Sequence, residues 1–216
     1  MSSLVEIEAA RRDLALWHDA NNQGLSPLPF GMVNWTYDGD DHAPASTPLP
    51  AVVIGINPGD GNGAAKPGMS PSEARWRSNC SMLSGRSPSE IVFTELVSIP
   101  TKRVVDLEGG LTVADAVKAS ARLNTAILAF HSPQVVYQMG FLGGSLAQTV
   151  SIYGLEHVST VMRSQAKGRL LEHYRLPSGL DWLSIRHFAA FGFSGEDFAG
   201  VRDYVASLPS AANLLG

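Results

Sequence analysis

The run Val52–Gly63, VVIGINPGDGNG, is apolar through Ile56 and then breaks into Asn-Pro-Gly and alternating glycines. A short β-branched run with no polar alternation fits a strand buried on both faces, as in a parallel sheet covered by helices. Further runs of the same kind follow along the chain: IVFTELVSI (91–99), QVVYQM (134–139), HVSTVM (157–162) and DWLSIRHF (181–188). Helical segments separate them. Ser70, Pro71 and Glu73 form a start signal for a helix near 71–84, Thr112 with Asp115 opens VADAVKASARLNTAILAF, and Ser194 with Asp197 opens a last helix over about 195–207. Residues 1–20 mix Glu6, Glu8, Arg11, Arg12 and Asp13 with apolar positions, which predicts an amphipathic helix and not a signal peptide. The expected fold is α/β: a single three-layer α/β/α domain over 1–216, with a central, mainly parallel sheet. Its N-terminal helix and loop occupy 1–50 and its core 51–207, and the proline-rich segment 42–50 reads as an exposed loop before the first strand.

Composition narrows the class. The chain has 216 residues, 44% hydrophobic and 17% charged, which suits one globular domain and excludes disorder. No apolar run reaches the roughly 18 residues that cross a bilayer, so no membrane association is expected. A single cysteine, Cys80, excludes an internal disulfide and any Cys-based zinc cluster. A cytoplasmic monomer without cofactor is the expectation. The net charge of −4 argues against a surface that grips polyanions all over, and leaves local basic clusters. Three are visible: Arg75, Arg77 and Arg86; Lys102 and Arg103; and Arg163, Lys167, Arg169 and Arg175. Each admits a solvated face or a set of phosphate contacts.

In parallel α/β sheets ligands sit beyond the carboxyl ends of the strands, so chemistry is sought at Asn57–Gly63, Pro100–Arg103, Gly140–Ser145, Arg163–Lys167 and from His187 onward. The glycines after the first strand do not make a phosphate loop. Lys66 is followed by Pro67, and Gly59, Gly61 and Gly63 alternate strictly, so neither GxxxxGK[ST] nor GxGxxG is present. Pro58 biases Asn57 toward an extended backbone, and Gly59 permits close approach to bare amides. Asn57 then either closes an Asx turn or presents its amide to a cleft. His187 lies among Phe188, Phe191 and Phe193, as a hydrogen-bonded core residue or a site group, and the phenylalanines read as packing or as a wedge against a duplex.

GINPG (Gly55–Gly59), placed after an apolar strand, resembles the first active-site motif of the uracil-DNA glycosylase superfamily, in the form used by its mismatch-specific uracil and thymine glycosylase branch. The similarity of organisation covers roughly residues 50–207: DWLSIRHFAAFGFS resembles the family's late histidine-bearing motif, IVFTELVSIP its base-recognition strand, and VVYQMGFLGGSLAQTV the strand and helix that follow. The resemblance implies hydrolysis of the N-glycosidic bond of a flipped uracil or mismatched pyrimidine in DNA. Asn57 would position the attacking water and His187 would face the negative charge that develops on the departing base. Gly55, Ile56, Pro58, Gly59, Thr94 and Glu95 would bind the base, and Lys102, Arg103, Arg163, Lys167 and Arg169 would contact DNA phosphates. The chain departs from the family's pattern in two places: Thr94 and Glu95 stand where asparagine often reads the base, and the late motif is His187-Phe188-Ala189 in place of His-Pro-Ser or Asn-Pro-Ser. Phe30, Trp35 and Trp76 are the candidates for a stacking aromatic.

Two readings compete with this one. The same fold could hold a nucleotide or nucleic acid without cutting it. Alternatively, Gly143, Gly144, Ser145, Leu146 and Ala147 nearly match a GxSxG elbow, and Asp181 and His187 follow in the chain order of an α/β-hydrolase triad; Ser145 reads otherwise as a helix N-cap. The acidic segment Tyr37–His42 lacks the later bidentate glutamate of a calcium loop, and His18, His131, His157 and His173 show no ligand spacing.

Overall fold

The computed structural model describes residues 4–21, 51–56, 71–85, 87, 91–97, 111–188 and 192–209. The loop 42–50, Asn57–Gly63, the Ser70 cap, Lys102, Arg103, Phe30 and Trp35 lie outside them. The elements are α1 (Leu4–Asn21), β1 (Ala51–Gly55), α2 (Pro71–Ser84), β2 (Ile91–Glu95), α3 (Val113–His131), β3 (Val135–Met139), α4 (Gln148–Tyr153), β4 (Glu156–Met162), β5 (Arg169–Arg175), β6 (Asp181–Ile185) and α5 (Gly195–Ala206). The strands form one sheet in the order β2-β1-β3-β6-β5-β4. Its first four strands are parallel; β5 is antiparallel to both β6 and β4.

The helix starts follow the sequence signals. At both α3 and α5 a reciprocal capping box is present, Thr112 with Asp115 and Ser194 with Asp197. Each box satisfies backbone donors that a helix start otherwise leaves open. In α1, Ile7, Ala10, Leu14 and His18 recur at helical spacing and form the buried stripe.

β1 is buried at all five positions and feeds two cores. Val52 and Ile54 enter one with α1 and α3, whereas Ala51 and Val53 enter the other with α2 and α5. This two-sided burial is the three-layer α/β/α arrangement expected from the unalternated apolar run. The chain passes from β1 outward to β2 and then returns to place β3 on the other side of β1, so the order reverses between β1 and β3. A crevice opens at the carboxyl ends of strands where such a reversal occurs.

One strand departs from the sequence expectation. Arg169 and Arg175, read as members of a basic cluster, are the two ends of β5, whose interior Leu170–Tyr174 is buried. Its Glu172 and His173 mask the strand signal, but both are paired: Glu172 takes Arg169 and the Tyr174 hydroxyl, and His173 Nε2 donates to Asp181 Oδ1 at 3.0 Å. Buried polar groups are tolerated when bonded in this way.

α3 is tied to the end of β2 by Asn124. Its Oδ1 accepts from the Thr94 hydroxyl at 2.8 Å, and its Nδ2 donates to the Glu95 carbonyl at 3.0 Å and to the Tyr153 hydroxyl at 2.9 Å. Replacing it by alanine strands three buried partners on two elements, β2 and α4. Asn124→Ala is expected to cost about 3 kcal/mol of stability, measured by urea unfolding; a loss below about 0.5 kcal/mol would show that this tie is not structural.

Candidate functional site at the carboxyl ends of the strands

The parallel ladder continues beyond β1 and β2, with Leu96 N donating to Gly55 O and Val97 N to Ile56 O, each at 2.9 Å. On the other side of the reversal, Gly140 N donates to Ile185 O at 2.8 Å and Arg186 N to Leu170 O at 2.9 Å. Four strand ends are thereby locked in register around the crevice. Gly140 has φ +76°, and a Cβ there would lie 3.3 Å from Ile56 Cδ1. The chain thus turns away from β3 directly against the residue that precedes Asn57.

Gly55 and Glu95 are register partners on adjacent strands. A Cβ on Gly55 would fall 2.6 Å from Glu95 Cδ and 2.8 Å from Glu95 Oε1. The carboxylate therefore leans from β2 onto β1 and lies over the Gly55 backbone, and Glu95 is buried. Glycine at 55 is needed to hold it there. Thr94 is not part of this surface: its side chain is fully buried and committed to Asn124 on the opposite face, so the expectation that Thr94 reads a base edge is corrected.

His187, two residues past β6, is half-buried against Trp76, with ring centroids 5.7 Å apart in an edge-on arrangement. Trp76 is itself fully buried and stacks at 4.3 Å on Phe188. It backs His187 from within α2, which removes it from the candidates for a stacking aromatic. Burial, with the charge of Arg75 as a smaller contribution, lowers the His187 pKa below its ordinary 6.5. At neutral pH the imidazole is therefore uncharged. Phe188 also packs on Phe193 and Phe198, so these aromatics belong to the core; Phe191 lies outside the described residues.

An aromatic that the sequence reading passed over stands at the crevice instead. Phe141 directly follows Gly140, is half-buried, and carries the Arg169 guanidinium 4.5 Å from its ring centroid. Its place immediately after a strand-ending glycine was the available signal.

The basic residues divide into different roles. β4 runs in the same direction as β6, because β5 opposes both, so the β4–β5 turn with Arg163 and Lys167 lies at the carboxyl end of the sheet. Lys167 is exposed there, and Arg169 is partly exposed while pairing with Glu172. Arg163 is an internal clamp. Its Nε and Nη2 donate to Asp197 Oδ1 and Oδ2 at 2.9 and 2.7 Å, and Nη2 also donates to the Gly192 carbonyl. A bidentate guanidinium spent on α5 is not available to a phosphate, which corrects its expected DNA contact. Asn57, Pro58, Gly59, Lys102 and Arg103 lie outside the described residues.

The geometry also overturns the hydrolase triad. Asp181 begins β6 and His187 follows its other end, a separation of about 20 Å for six extended residues. Asp181 is engaged instead by His173 and by Arg175 at 3.0 and 3.1 Å. Ser145 sits exposed in a single 3₁₀ turn, Gly144–Leu146, and α4 starts later with Ala147 at its cap and no side-chain cap bond. Neither an elbow nor the expected Ser145 N-cap forms. Among the described residues no group of His, Cys, Asp and Glu could hold a metal ion, and no helix is long and apolar enough to cross a membrane. Cys80 is buried, which pushes its thiol pKa up and leaves it unreactive. No protein-family model and no curated protein matches the chain.

Two titrations check these assignments. His187 should titrate below 6.5 by NMR, and Arg75→Gln should raise its midpoint only part of the way, because burial is the larger cause; an unshifted midpoint would contradict the packed site. Asp197 is held below the usual carboxylate range, first by Arg163 and then by the Ser194 cap, against the opposing effect of burial. The native state then binds fewer protons than the unfolded chain, so stability falls as pH drops below about 4. Asp197→Asn should lower the melting temperature at pH 7 and flatten that acid loss.

Proposed function

We propose that this protein is a monofunctional DNA glycosylase-like hydrolase, acting on a uracil or mismatched pyrimidine flipped into the crevice between β1 and β3. The single observation that carries the reading is His187, packed edge-on against Trp76 just past the carboxyl end of β6 with its pKa lowered by burial, at the same end of the sheet as the Gly55 strand end. Breaking a glycosidic bond leaves negative charge on the departing base. A neutral imidazole held in a desolvated wall donates a hydrogen bond to that charge without first losing a proton, and a preorganised donor of this kind acts more strongly than water. Asn57, which follows Ile56, would hold the attacking water, and Phe141 would offer a ring face at the crevice mouth. Lys167 and Arg169 on the β4–β5 turn supply positive charge on the same end of the sheet for the DNA backbone; Lys102 and Arg103 are proposed to add to it.

The rival is a binding module of the same fold that does not cut the bond. The commitment of Arg163 to Asp197 favours it, because it removes one cation from the face that would grip DNA. Release of free base from uracil-containing and G·T- or G·U-mismatched oligonucleotides separates the two. Wild type should release base, and His187→Ala and Asn57→Ala should each slow release by about 10²-fold or more. Salt-dependent DNA binding with no release from any of these substrates would overturn the hydrolase reading in favour of the module.

A further inference from the structure

The glycosylase reading leaves one proton without a destination. Asn57 can orient a water molecule, but an amide is too weak a base to accept the proton that water loses on attack. We infer that Glu95 is the catalytic carboxylate of this site, and that it fixes the substrate's orientation with the sugar over β1 and the base toward β6. The inference rests on the glycosylase reading.

Three observations carry it. First, Glu95 does not stand over its own strand: its carboxylate occupies the space above Gly55 on β1, where a Cβ would lie only 2.8 Å from Oε1. Second, Glu95 and His187 belong to the same face of the sheet. Phe93, two residues before Glu95, packs in the α2 and α5 layer; Thr94 points to the α3 layer; and His187 rests on Trp76 of α2. Third, the strand order β2-β1-β3-β6 puts two interstrand spacings between the strand under the carboxylate and the strand that delivers His187. That is about 10 Å at roughly 4.8 Å per spacing, room for a sugar C1′ and a pyrimidine ring.

Electrostatics then determines which end of the nucleoside goes where. As the bond between C1′ and the base nitrogen lengthens, positive charge grows on the sugar and negative charge on the base. A carboxylate beside the base would oppose that separation, whereas beside C1′ it stabilises it. The neutral imidazole suits the base. In the balanced step, water oxygen forms the bond to C1′, and the bond to the base nitrogen breaks with its electron pair leaving on the base. The proton released from the water passes to the Glu95 carboxylate. The base departs as an anion beside His187, and the Glu95 proton then goes to the base or to solvent, restoring the carboxylate. Glu95 accordingly moves from the base-reading role implied by its position after the second strand to a sugar-side role. Gly55 is its positioning residue.

The test is single-turnover release of uracil from an oligonucleotide across pH 5 to 9, with wild type, Glu95→Gln, Glu95→Asp and Gly55→Ala. Wild-type rate should rise with pH through a carboxylate titration and then level off. Glu95→Gln should be slower by about 10²-fold or more and lose the acidic limb, with binding to an abasic-site duplex kept within about threefold. Glu95→Asp should retain the limb at a reduced rate. Gly55→Ala, which pushes an intact carboxylate out of place, should slow release while keeping the acidic limb, because the titrating group is still present. Melting temperatures identify any variant that fails to fold, and the remaining variants then decide. An active wild type whose Glu95→Gln variant keeps its rate within threefold and the same pH profile overturns this inference alone. A wild type that releases no base overturns the glycosylase reading and this inference with it.

Discussion

The burial of Ala51–Gly55 on both faces is the constraint from which the rest of the structure follows. A strand with apolar side chains in both directions leaves water on neither side, so helices must cover it above and below. At about 25 cal/mol per Å² of buried apolar surface, a strand of this kind is among the most strongly driven elements to bury. Its backbone donors and acceptors are then satisfied by neighbours on each edge, β2 and β3. Because those neighbours lie on opposite sides, the chain must cross over, and a crevice is left where it does. The position of the site is a consequence of how β1 is buried.

A second constraint operates inside the sheet. Polar side chains occur in a lateral row toward the carboxyl ends, Thr94, Gln138, Ser184 and Glu172, in register across the strands and interrupted by Ile54. All four are buried. Thr94 and Glu172 have bonded partners in Asn124 and in Arg169 with Tyr174. A buried polar row of this sort fixes register, since a slip of one residue would send every member to the other face. Precise strand ends matter here, because the crevice is built from four of them.

The sequence made much of the fold legible, for specific physical reasons. The capping boxes of α3 and α5 are local, needing only residues three apart, and both helices begin where those signals place them. The apolar run of β1 announced two-sided cover by itself. β5 was hidden because two polar residues interrupt its apolar run, and the pairing that lets His173 be buried comes from Asp181 and Tyr204 on other elements. The site was legible in outline only. His187 and Gly55 could be named from their strand ends, but the lean of Glu95 over Gly55, the turn of Thr94 toward Asn124 and the capture of Arg163 by Asp197 are tertiary facts. Asp181 illustrates the converse, since chain order suggested a triad that the length of one strand forbids.

The most direct measurement of the central claim is a crystal structure of the Asn57→Ala variant bound to a duplex containing a single uracil. The account predicts the uracil out of the stack in the crevice between β1 and β3, with a carbonyl oxygen about 3 Å from a His187 ring nitrogen and C1′ on the Glu95 side. A duplex bound with its uracil still stacked, or a flipped base held away from His187 or with the sugar toward β6, would contradict it.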